Sequence, residues 1–454
     1  MHSDNKASLF TPVLLSGSVI LMVGFAIRAS FGVFQVPIGT EFLWPRSEFS
    51  LAIAIQNLAW GIGQPLFSVI AEKWGDRKAI VLGALLYALG LVLSSYAVTP
   101  EALQILEILV GFGIAGTGFG VILAVVGRST SPENRSLALG ITTAAGSAGQ
   151  IVGPPTASWL LGIMPWSEVF LVFAVSILFV LVVLPFLRST NFATRQDLEE
   201  SLGEVCGRAF KDPSFIMIFL GFFSCGFQLA FITAHFPALV EEMCMGIPQD
   251  SLLRSIGVST TSELGAFSIA MIGIANLLGT IAAGALGKYF LKKNLLSLIY
   301  LGRTIAAAAF IMLPITSNSV LLFSAVMGSL WLATVPLTSG LVAYNYGLKY
   351  MGTLYGLVFL SHQLGGFAGV WLGGLFYDEF GSYDVVWWVG IGVGAFSAIV
   401  HLPVKEQHCS RKNQYNIKIN CEGLFESRKS GVIELIVFCE EGMARLGGFE
   451  PPTL

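Results

Sequence analysis

Charged residues are scarce in this chain. Asp, Glu, Lys and Arg make up 12% of its 454 residues, about half of the roughly one-quarter that is usual in soluble domains. This scarcity excludes an ordinary soluble enzyme, a nucleic-acid-binding protein and a disordered chain. The net charge of −3 is also small, so it predicts no general attraction to nucleic acid or to an acidic partner.

Motifs for metal, nucleotide and hydrolytic chemistry are also absent. The six cysteines form no CxxC pair, which argues against a zinc or redox centre. There is no GxxxxGK[ST] loop for nucleotide phosphates, no HExxH, and no GxSxG with triad partners. Ser361 and His362 are neighbours on a predicted helix and point about 100° apart, which does not suit a catalytic dyad. The sequence predicts no enzyme, no cofactor and no metal.

Long apolar runs are abundant. Hydrophobic residues make up 54% of the chain, and a membrane helix needs about 20 of them in succession. The runs are continuous rather than alternating, so they predict an all-α membrane protein and not a β-barrel. The first run is too long for a signal-peptide core and predicts an uncleaved helix. Twelve transmembrane helices are predicted, at 13–35, 50–71, 79–98, 103–127, 136–161, 168–187, 214–236, 264–286, 295–314, 319–344, 353–377 and 383–403.

The distribution of Lys and Arg predicts the orientation. If the N-terminus is cytoplasmic, fourteen of these residues lie in inner segments and only Arg46 and Arg254 lie in outer loops. This asymmetry follows the positive-inside rule and predicts that both termini are cytoplasmic. The inner residues are Lys6, Lys73, Arg77, Lys78, Arg128, Arg135, Arg188, Arg195, Arg208, Lys211, Lys288, Lys292, Lys293 and Lys349.

The twelve predicted helices divide into two sets of six. The longest inner loop, 188–213, is polar and charged, so it predicts a cytoplasmic linker between six-helix bundles at 1–187 and 214–404. The loops AEKWGDRK at 71–78 and LGKYFLKK at 286–293 are weakly similar. Glycine stripes at helical spacing occur in the fifth and eleventh helices and indicate close packing. Such repeated halves are typical of transporters. The stripes are Gly146, Gly149 and Gly153, and Gly365, Gly369 and Gly373.

Residues 68–78 resemble the loop signature of the major facilitator superfamily, Gly-x-x-x-Asp-(Arg/Lys)-x-Gly-x-(Arg/Lys)-(Arg/Lys). Here the loop reads Ser68-x-x-x-Glu72-Lys73-x-Gly75-Asp76-Arg77-Lys78, and the charges are kept. The second-half copy, which starts at Gly284, is degenerate. The Arg-x-x-x-Gly of many drug exporters is replaced by Glu107-x-x-x-Gly111.

Within that superfamily the chain most resembles the bacterial monocarboxylate-transporter-like and oxalate–formate-antiporter-like group. The similar stretches are RASFGVF at 28–34, QPLF at 64–67, HQLGGFAGVWLGG at 362–374 and GSYD at 381–384. The resemblance covers about residues 10–404. It implies two six-helix bundles that work by alternating access, usually as a monomer, and often proton-coupled transport of small organic anions. It also implies a cytoplasmic gate at Glu72, Lys73, Gly75 and Arg77.

Two arginines are predicted near the middle of the membrane, where an ionisable residue is costly and indicates function by default. They are Arg28 in the first helix and Arg303 in the ninth. Neither has an acid on its own helical face, and Glu107 is expected near the outer end of helix four, away from their depth. A guanidinium binds a carboxylate through two parallel hydrogen bonds, so both are candidate anion-binding residues. The alternative is a structural role, on carbonyl groups or aromatic rings.

Other polar residues in the predicted helices are candidate substrate contacts. His362 titrates near neutral pH and is the candidate proton carrier; alternatively it makes a packing hydrogen bond with Gln363. Gln56, Asn57 and Gln228 have amides that suit substrate oxygens or neighbouring helices equally well.

Residues 405–454 differ in composition from the rest of the chain, because they are richer in charge and contain no run long enough to span a membrane. They predict either a disordered cytoplasmic tail or a stretch of read-through translation, and neither interpretation assigns them a function.

The leading hypothesis is a secondary transporter of small organic anions in the inner cell membrane, driven by a proton gradient or by exchange. Its partners are the anion and the lipid bilayer, with no nucleic acid. A second hypothesis, a proton-antiport exporter of amphipathic compounds, requires an acid in the first helix, and none is present there. A third, a membrane sensor that transports nothing, requires a soluble signalling domain.

Overall fold

The computed structural model describes residues 9–187 and 201–406. These residues form helices and no strand, which confirms the all-α prediction for the described part of the chain. The α-helices are α1 Pro12–Ser30, α2 Gln35–Phe42, α3 Arg46–Trp74, α4 Asp76–Ser94, α5 Pro100–Thr117, α6 Phe119–Arg128, α7 Arg135–Leu161, α8 Trp166–Leu178, α9 Val180–Val183, α10 Leu202–Lys211, α11 Pro213–Met243, α12 Leu252–Ser255, α13 Thr261–Leu286, α14 Lys292–Met312, α15 Ser317–Leu330, α16 Thr334–Tyr346, α17 Met351–Phe380 and α18 Asp384–Val400. Short 3-10 helices occupy Phe31–Phe34 and Leu184–Phe186.

Several helices begin at residues whose side chains cap the free N–H groups of a first turn. Thr11 accepts from the N–H of Leu14 ahead of Pro12, and Thr99 accepts from the N–H of Ala102 ahead of Pro100. Nine helical segments of the described residues are long and apolar enough to cross a membrane. Each of the twelve predicted segments overlaps at least one described helix, and several extend beyond the helix end.

The predicted linker and tail lie partly outside the described residues. Of the linker at 188–213, residues 201–213 are described, and they include the short helix α10, which Ser201 and Glu204 cap reciprocally. Of the predicted tail at 405–454, only Lys405 and Glu406 are described.

Corresponding helices pack together in the two halves of the chain, residues 9–187 and 213–406. In the first half α7 packs on α1, α5 packs on α3 and α4, and α8 packs on α4. In the second half α17 packs on α11, α15 packs on α13 and α14, and α18 packs on α14. Four helix pairs join the halves: α3 with α17, α7 with α13, α7 with α16 and α6 with α17. A cavity can therefore form between the halves, bounded by helices of both.

Glycines make the closest helix contacts possible. A Cβ on Gly149 of α7 would lie 2.1 Å from the carbonyl oxygen of Met22 on α1. A Cβ on Gly365 of α17 would lie 2.1 Å from the carbonyl oxygen of Phe223 on α11. Both distances are far below van der Waals contact, so any larger residue would separate the helices. The glycine stripes noted in the sequence thus lie at equivalent helix crossings of the two halves.

The fourth predicted transmembrane segment is broken at Gly118, between α5 and α6. A break leaves backbone carbonyls without helical partners, which is costly in a membrane unless neighbouring helices supply donors. Gln64 of α3 supplies one, since its Nε2 donates to the carbonyl of Ala115 at 3.0 Å. Trp60 holds the Gln64 amide by donating to its Oε1 at 3.1 Å.

The tenth predicted segment is broken at the corresponding place, between α15 and α16. Arg303 of α14 donates from Nε to the carbonyl of Leu330 at 3.0 Å, and from Nη2 to the carbonyl of Trp331. Asn276 of α13 accepts from the N–H of Leu332 at 2.9 Å. Broken helices often border the binding site of a transporter, and both breaks lie beside the cavity described below.

Candidate functional site

A cavity lies between the two halves. Its free interior volume is about 80 Å³. Its walls are mainly apolar and aromatic, and its polar groups are few. The lining residues are Phe25, Arg28, Ala29, Trp60, Phe119, Gln150, Pro154, Leu229, Ala230, Thr233, Ile269, Ile272, Gly273, Trp331, Leu332, Val335, Phe359, His362 and Gln363.

Arg28 is the charged residue of this lining. Its Nη2 donates to Oδ1 of Asn57 at 2.9 Å, and its guanidinium carbon lies 4.9 Å from the centre of the Trp60 ring. Asn57 is itself fixed, because its Nδ2 donates to the carbonyl of Ile53 at 3.0 Å. The Nε of Arg28 has no hydrogen-bond partner. The guanidinium is therefore held in place from one side and keeps a donor for an anionic ligand.

Gln56 and Asn57 lie behind the cavity wall rather than on it. Gln56 donates from Nε2 to Oε2 of Glu107 at 2.6 Å, while the next residue of the same helix bonds Arg28. Neighbouring residues of a helix differ in height by about 1.5 Å, so Glu107 and Arg28 lie in one layer. The expectation that Glu107 lies away from the depth of Arg28 is wrong. The sequence could not show that Glu107 and Arg28 share a layer, because they are on different helices.

His362 reaches the cavity from α17. Its ring is stacked on Phe359 with a centroid distance of 5.0 Å, and its Nδ1 lies 3.0 Å from Oε1 of Gln363. Its Nε2 is without a hydrogen-bond partner. The packing interaction with Gln363 and the position in the cavity lining are therefore both present.

Gln228 and Arg303 are not among the cavity-lining residues of the described chain. Gln228 is buried and donates from Nε2 to the carbonyl of Gly390 on α18 at 2.9 Å. Arg303 is fully buried on the carbonyls at the helix break. The structure thus presents Arg303 in the structural role that the sequence left as an alternative.

The predicted gate lies at the basic end, defined here as the end of the helices that carries Lys73, Arg77, Lys78 and Arg128. Glu72 joins the halves there, since its Oε1 accepts from the backbone N–H of Thr353 at 2.9 Å and its Oε2 accepts from the Thr353 hydroxyl. The acid at the end of α3 is therefore bound to the first turn of α17.

The other gate residues have different positions. Gly75, with φ +104°, forms the turn between α3 and α4, a conformation that favours glycine. Lys73 is exposed. Arg77 donates to the carbonyl groups of Leu187 and Pro185, in the same half of the chain, and so does not itself bridge the halves. The sequence predicted a clamp of four residues, and the structure places Glu72 alone of them across the halves.

Sequence reasoning missed several residues of the cavity and gate. Arg128, counted in the sequence among the inner basic residues, forms an ion pair with Asp76 at 2.5 Å. Thr353 and Trp60 gave no signal, because hydroxyl and aromatic side chains are common in membrane helices. Within residues 9–187 and 201–406, no group of three or more His, Cys, Asp or Glu side chains is placed to hold a metal ion.

A helical membrane protein with a central cavity between two similarly packed halves has the architecture of a carrier. Residues 16–370 match the sequence model of the Major Facilitator Superfamily, and the chain belongs to this family. It is 25% identical over 423 residues to the uncharacterized MFS-type transporter YcxA of Bacillus subtilis, a match that covers 89% of this chain and 98% of YcxA. It is 26% identical over 390 residues to monocarboxylate transporter 13 of Bos taurus, covering 82% and 83%.

The fold is that of a solved member of the family. The proton:xylose symporter XylE superposes with a TM-score of 0.65 at 14% identity, covering 87% of this chain and 96% of that one. At this identity the likeness shows the fold alone. The family and its fold neighbour consist of transporters and not enzymes. The chain is thus a multi-pass membrane transporter of a small-molecule substrate, which confirms the family resemblance seen in the sequence.

Proposed function

We propose that this protein carries small organic anions, of the monocarboxylate kind, by secondary active transport coupled to protons or to exchange. The observation that carries the proposal is Arg28, a guanidinium in a cavity between the halves, fixed by Asn57 and Trp60 with Nε unpartnered. A carboxylate is the anion that such a planar donor pair fits best. The monocarboxylate transporter among the relatives is consistent with this substrate class.

The apolar walls define the rest of the substrate. Phe25, Phe119 and Phe359 line the cavity beside Arg28, so we propose an anion with one charged end and a small apolar body. His362 is the proposed second contact with the anion; from the sequence it was the candidate proton carrier. Asn57 positions Arg28. Gln56, Gln228 and Arg303, predicted as substrate contacts, are proposed instead to support the helices that form the cavity.

We further propose twelve membrane crossings, in six-helix bundles at 1–187 and 214–404. The equivalent packing of α1 with α7 and of α11 with α17, and the matching helix breaks, support this repeat. The Lys and Arg asymmetry supports a cytoplasmic basic end and cytoplasmic termini. From the resemblance to the bacterial transporter group, whose members usually act as monomers, we also propose a monomer in the inner cell membrane.

Transport by the purified protein in proteoliposomes tests the substrate class. We expect labelled short monocarboxylates to be taken up with and without a pH gradient, and sugars and dicarboxylates to be taken up far less. Amphipathic cations serve as the comparison for an exporter. Transport of sugars or amphipathic cations that excess monocarboxylate does not inhibit would contradict the proposal.

Loss of the Glu72 carboxylate is expected to open the basic end. Glu72→Gln removes charge-assisted hydrogen bonds to Thr353, each worth about 1.5–3 kcal/mol, so the population should shift away from the closed basic end. Ser68, one turn from Glu72 on α3, is fully buried. A cysteine at position 68, in a chain lacking its other cysteines, should react faster with a membrane-impermeant maleimide from the basic side.

Lys73→Gln is the matched control, because Lys73 is exposed beside Glu72. Thr353→Val should speed labelling as Glu72→Gln does, and the double variant should add little, since both changes remove the same contact. Equal labelling rates in Glu72→Gln and the unmodified protein would show that this contact does not hold the basic end closed.

A further inference from the structure

Glu107 is a buried carboxyl group without a cation bonded to it in the described structure. It is 1% exposed. Gln56 donates to its Oε2 at 2.6 Å, and its Oε1 has no hydrogen-bond partner. A single neutral donor is a poor replacement for water around a carboxylate. An ionised Glu107 therefore needs a positive charge nearby, and a protonated one does not.

Arg28 is the positive charge that two adjacent residues of α3 link to Glu107. Gln56 holds Glu107 while its neighbour Asn57 holds Arg28. The Tyr87 hydroxyl, which lies 3.4 Å from the carbonyl of Gly24 on α1, interacts electrostatically with both charged groups. The acid and the cation thus belong to one polar layer, although they do not touch.

Three other ionisable side chains on helices packed against α5 have partners of their own. Glu48 of α3 accepts from Nε2 of Gln104 at 2.8 Å, nearer the start of both helices. Arg128 of α6 pairs with Asp76 of α4 at the basic end. Glu72 of α3 is bound to Thr353 there. Tyr87 is the group that interacts electrostatically with both Glu107 and Arg28.

The charge of this layer depends on the substrate. Without substrate, a positive Arg28 is balanced if Glu107 is ionised. With an anionic substrate on Arg28, the layer is balanced only if Glu107 carries a proton. The two intermediate states, with only the anion or only the proton bound, leave a net charge in the low-dielectric interior. Anion binding and proton binding should therefore each favour the other, reciprocally.

We propose that Glu107 is the proton-binding residue of transport, taking up one proton as each anion binds Arg28 and releasing it with the anion on the other side. The carboxylate gains the proton as Oε–H on entry and loses it on release, so the loaded layer is electroneutral. This inference rests on the proposed function. It adds a coupling residue that lies behind the cavity wall and is not His362.

Proteoliposomes that hold the unmodified protein, Glu107→Gln or Glu101→Gln test this coupling. Glu101 is the matched control, an exposed acid in the first turn of the same helix. We expect a pH gradient to drive monocarboxylate accumulation by the unmodified protein and by Glu101→Gln, without response to membrane potential. In Glu107→Gln the pH-driven accumulation should be lost. The remaining anion uptake should respond to membrane potential, because the anion would then move without a proton.

A second measurement needs no variant. In weakly buffered detergent solution, the unmodified protein should take up a proton when a monocarboxylate binds. Monocarboxylate transport without proton uptake, or unchanged coupling in Glu107→Gln, would overturn the role of Glu107 and leave the anion transporter intact. The absence of any monocarboxylate transport by the unmodified protein would instead overturn the proposed function. Loss of coupling in His362→Gln with full coupling in Glu107→Gln would also reject this inference, in favour of His362.

Discussion

Replacing Arg28 with Gln is expected to abolish transport of monocarboxylates while leaving the protein folded in the membrane. Glutamine keeps one amide donor and can still bond Asn57, but it loses the positive charge and the planar pair of donors. Each charge-assisted hydrogen bond that is lost is worth about 1.5–3 kcal/mol, which corresponds to roughly a 10- to 150-fold weaker affinity. Binding measured by calorimetry and uptake measured in proteoliposomes should both fall.

Two further arginine variants make this result specific. Arg28→Lys keeps the charge without the bidentate geometry and should retain weak, partial uptake. Arg254→Gln changes an arginine of the short helix α12, away from the cavity, whose guanidinium donates to the carbonyls of Ile247 and Pro248, so uptake should be unchanged. Full uptake by Arg28→Gln would show that the anion binds elsewhere.

The roles of Arg28 and Arg303 could not be distinguished from the sequence. Both are single cations in the middle of apolar helices, and the sequence made both candidate anion-binding residues with a structural role as the alternative. The difference lies in what each meets across a helix interface. Arg28 meets an amide and a cavity, whereas Arg303 meets the carbonyls of Leu330 and Trp331 at a break in another helix. The periodicity of a helix reveals neither a break in another helix nor the residue that bonds it. The sequence therefore could not distinguish the roles of Arg28 and Arg303.

Properties that depend on composition were predicted well. Apolar runs predicted the helical segments, and the loop at 68–78 indicated the family. Properties that depend on contacts between distant segments were not predicted. Glu72 meets Thr353, 281 residues away, and Gln56 meets Glu107, 51 residues away. A single sequence contains no signal for such pairs, because glutamine and threonine are ordinary residues of membrane helices.

The crossing of α7 with α13 is another contact between the halves, and its geometry depends on two glycines. A Cβ on Gly140 would lie 3.0 Å from the Cα of Gly284 and 3.1 Å from the carbonyl oxygen of Thr280. Alanine at position 140 requires the helices to shift by a few tenths of an ångström. The longer side chain of leucine has no space at all, so the helices must separate at the basic end.

Gly140→Leu is therefore expected to hold the basic end open and to abolish exchange of substrate across the membrane, since the carrier could no longer close on that side. Spin labels at positions 133 and 288, which are exposed and flank the crossing, should report a longer distance than in the unmodified protein. Gly140→Ala should give an intermediate effect. Gly374→Leu, at a site where a Cβ meets nothing within 4 Å, should change neither distance nor exchange. An unchanged distance in Gly140→Leu together with full exchange would mean that closure at the basic end does not require the two glycines to meet.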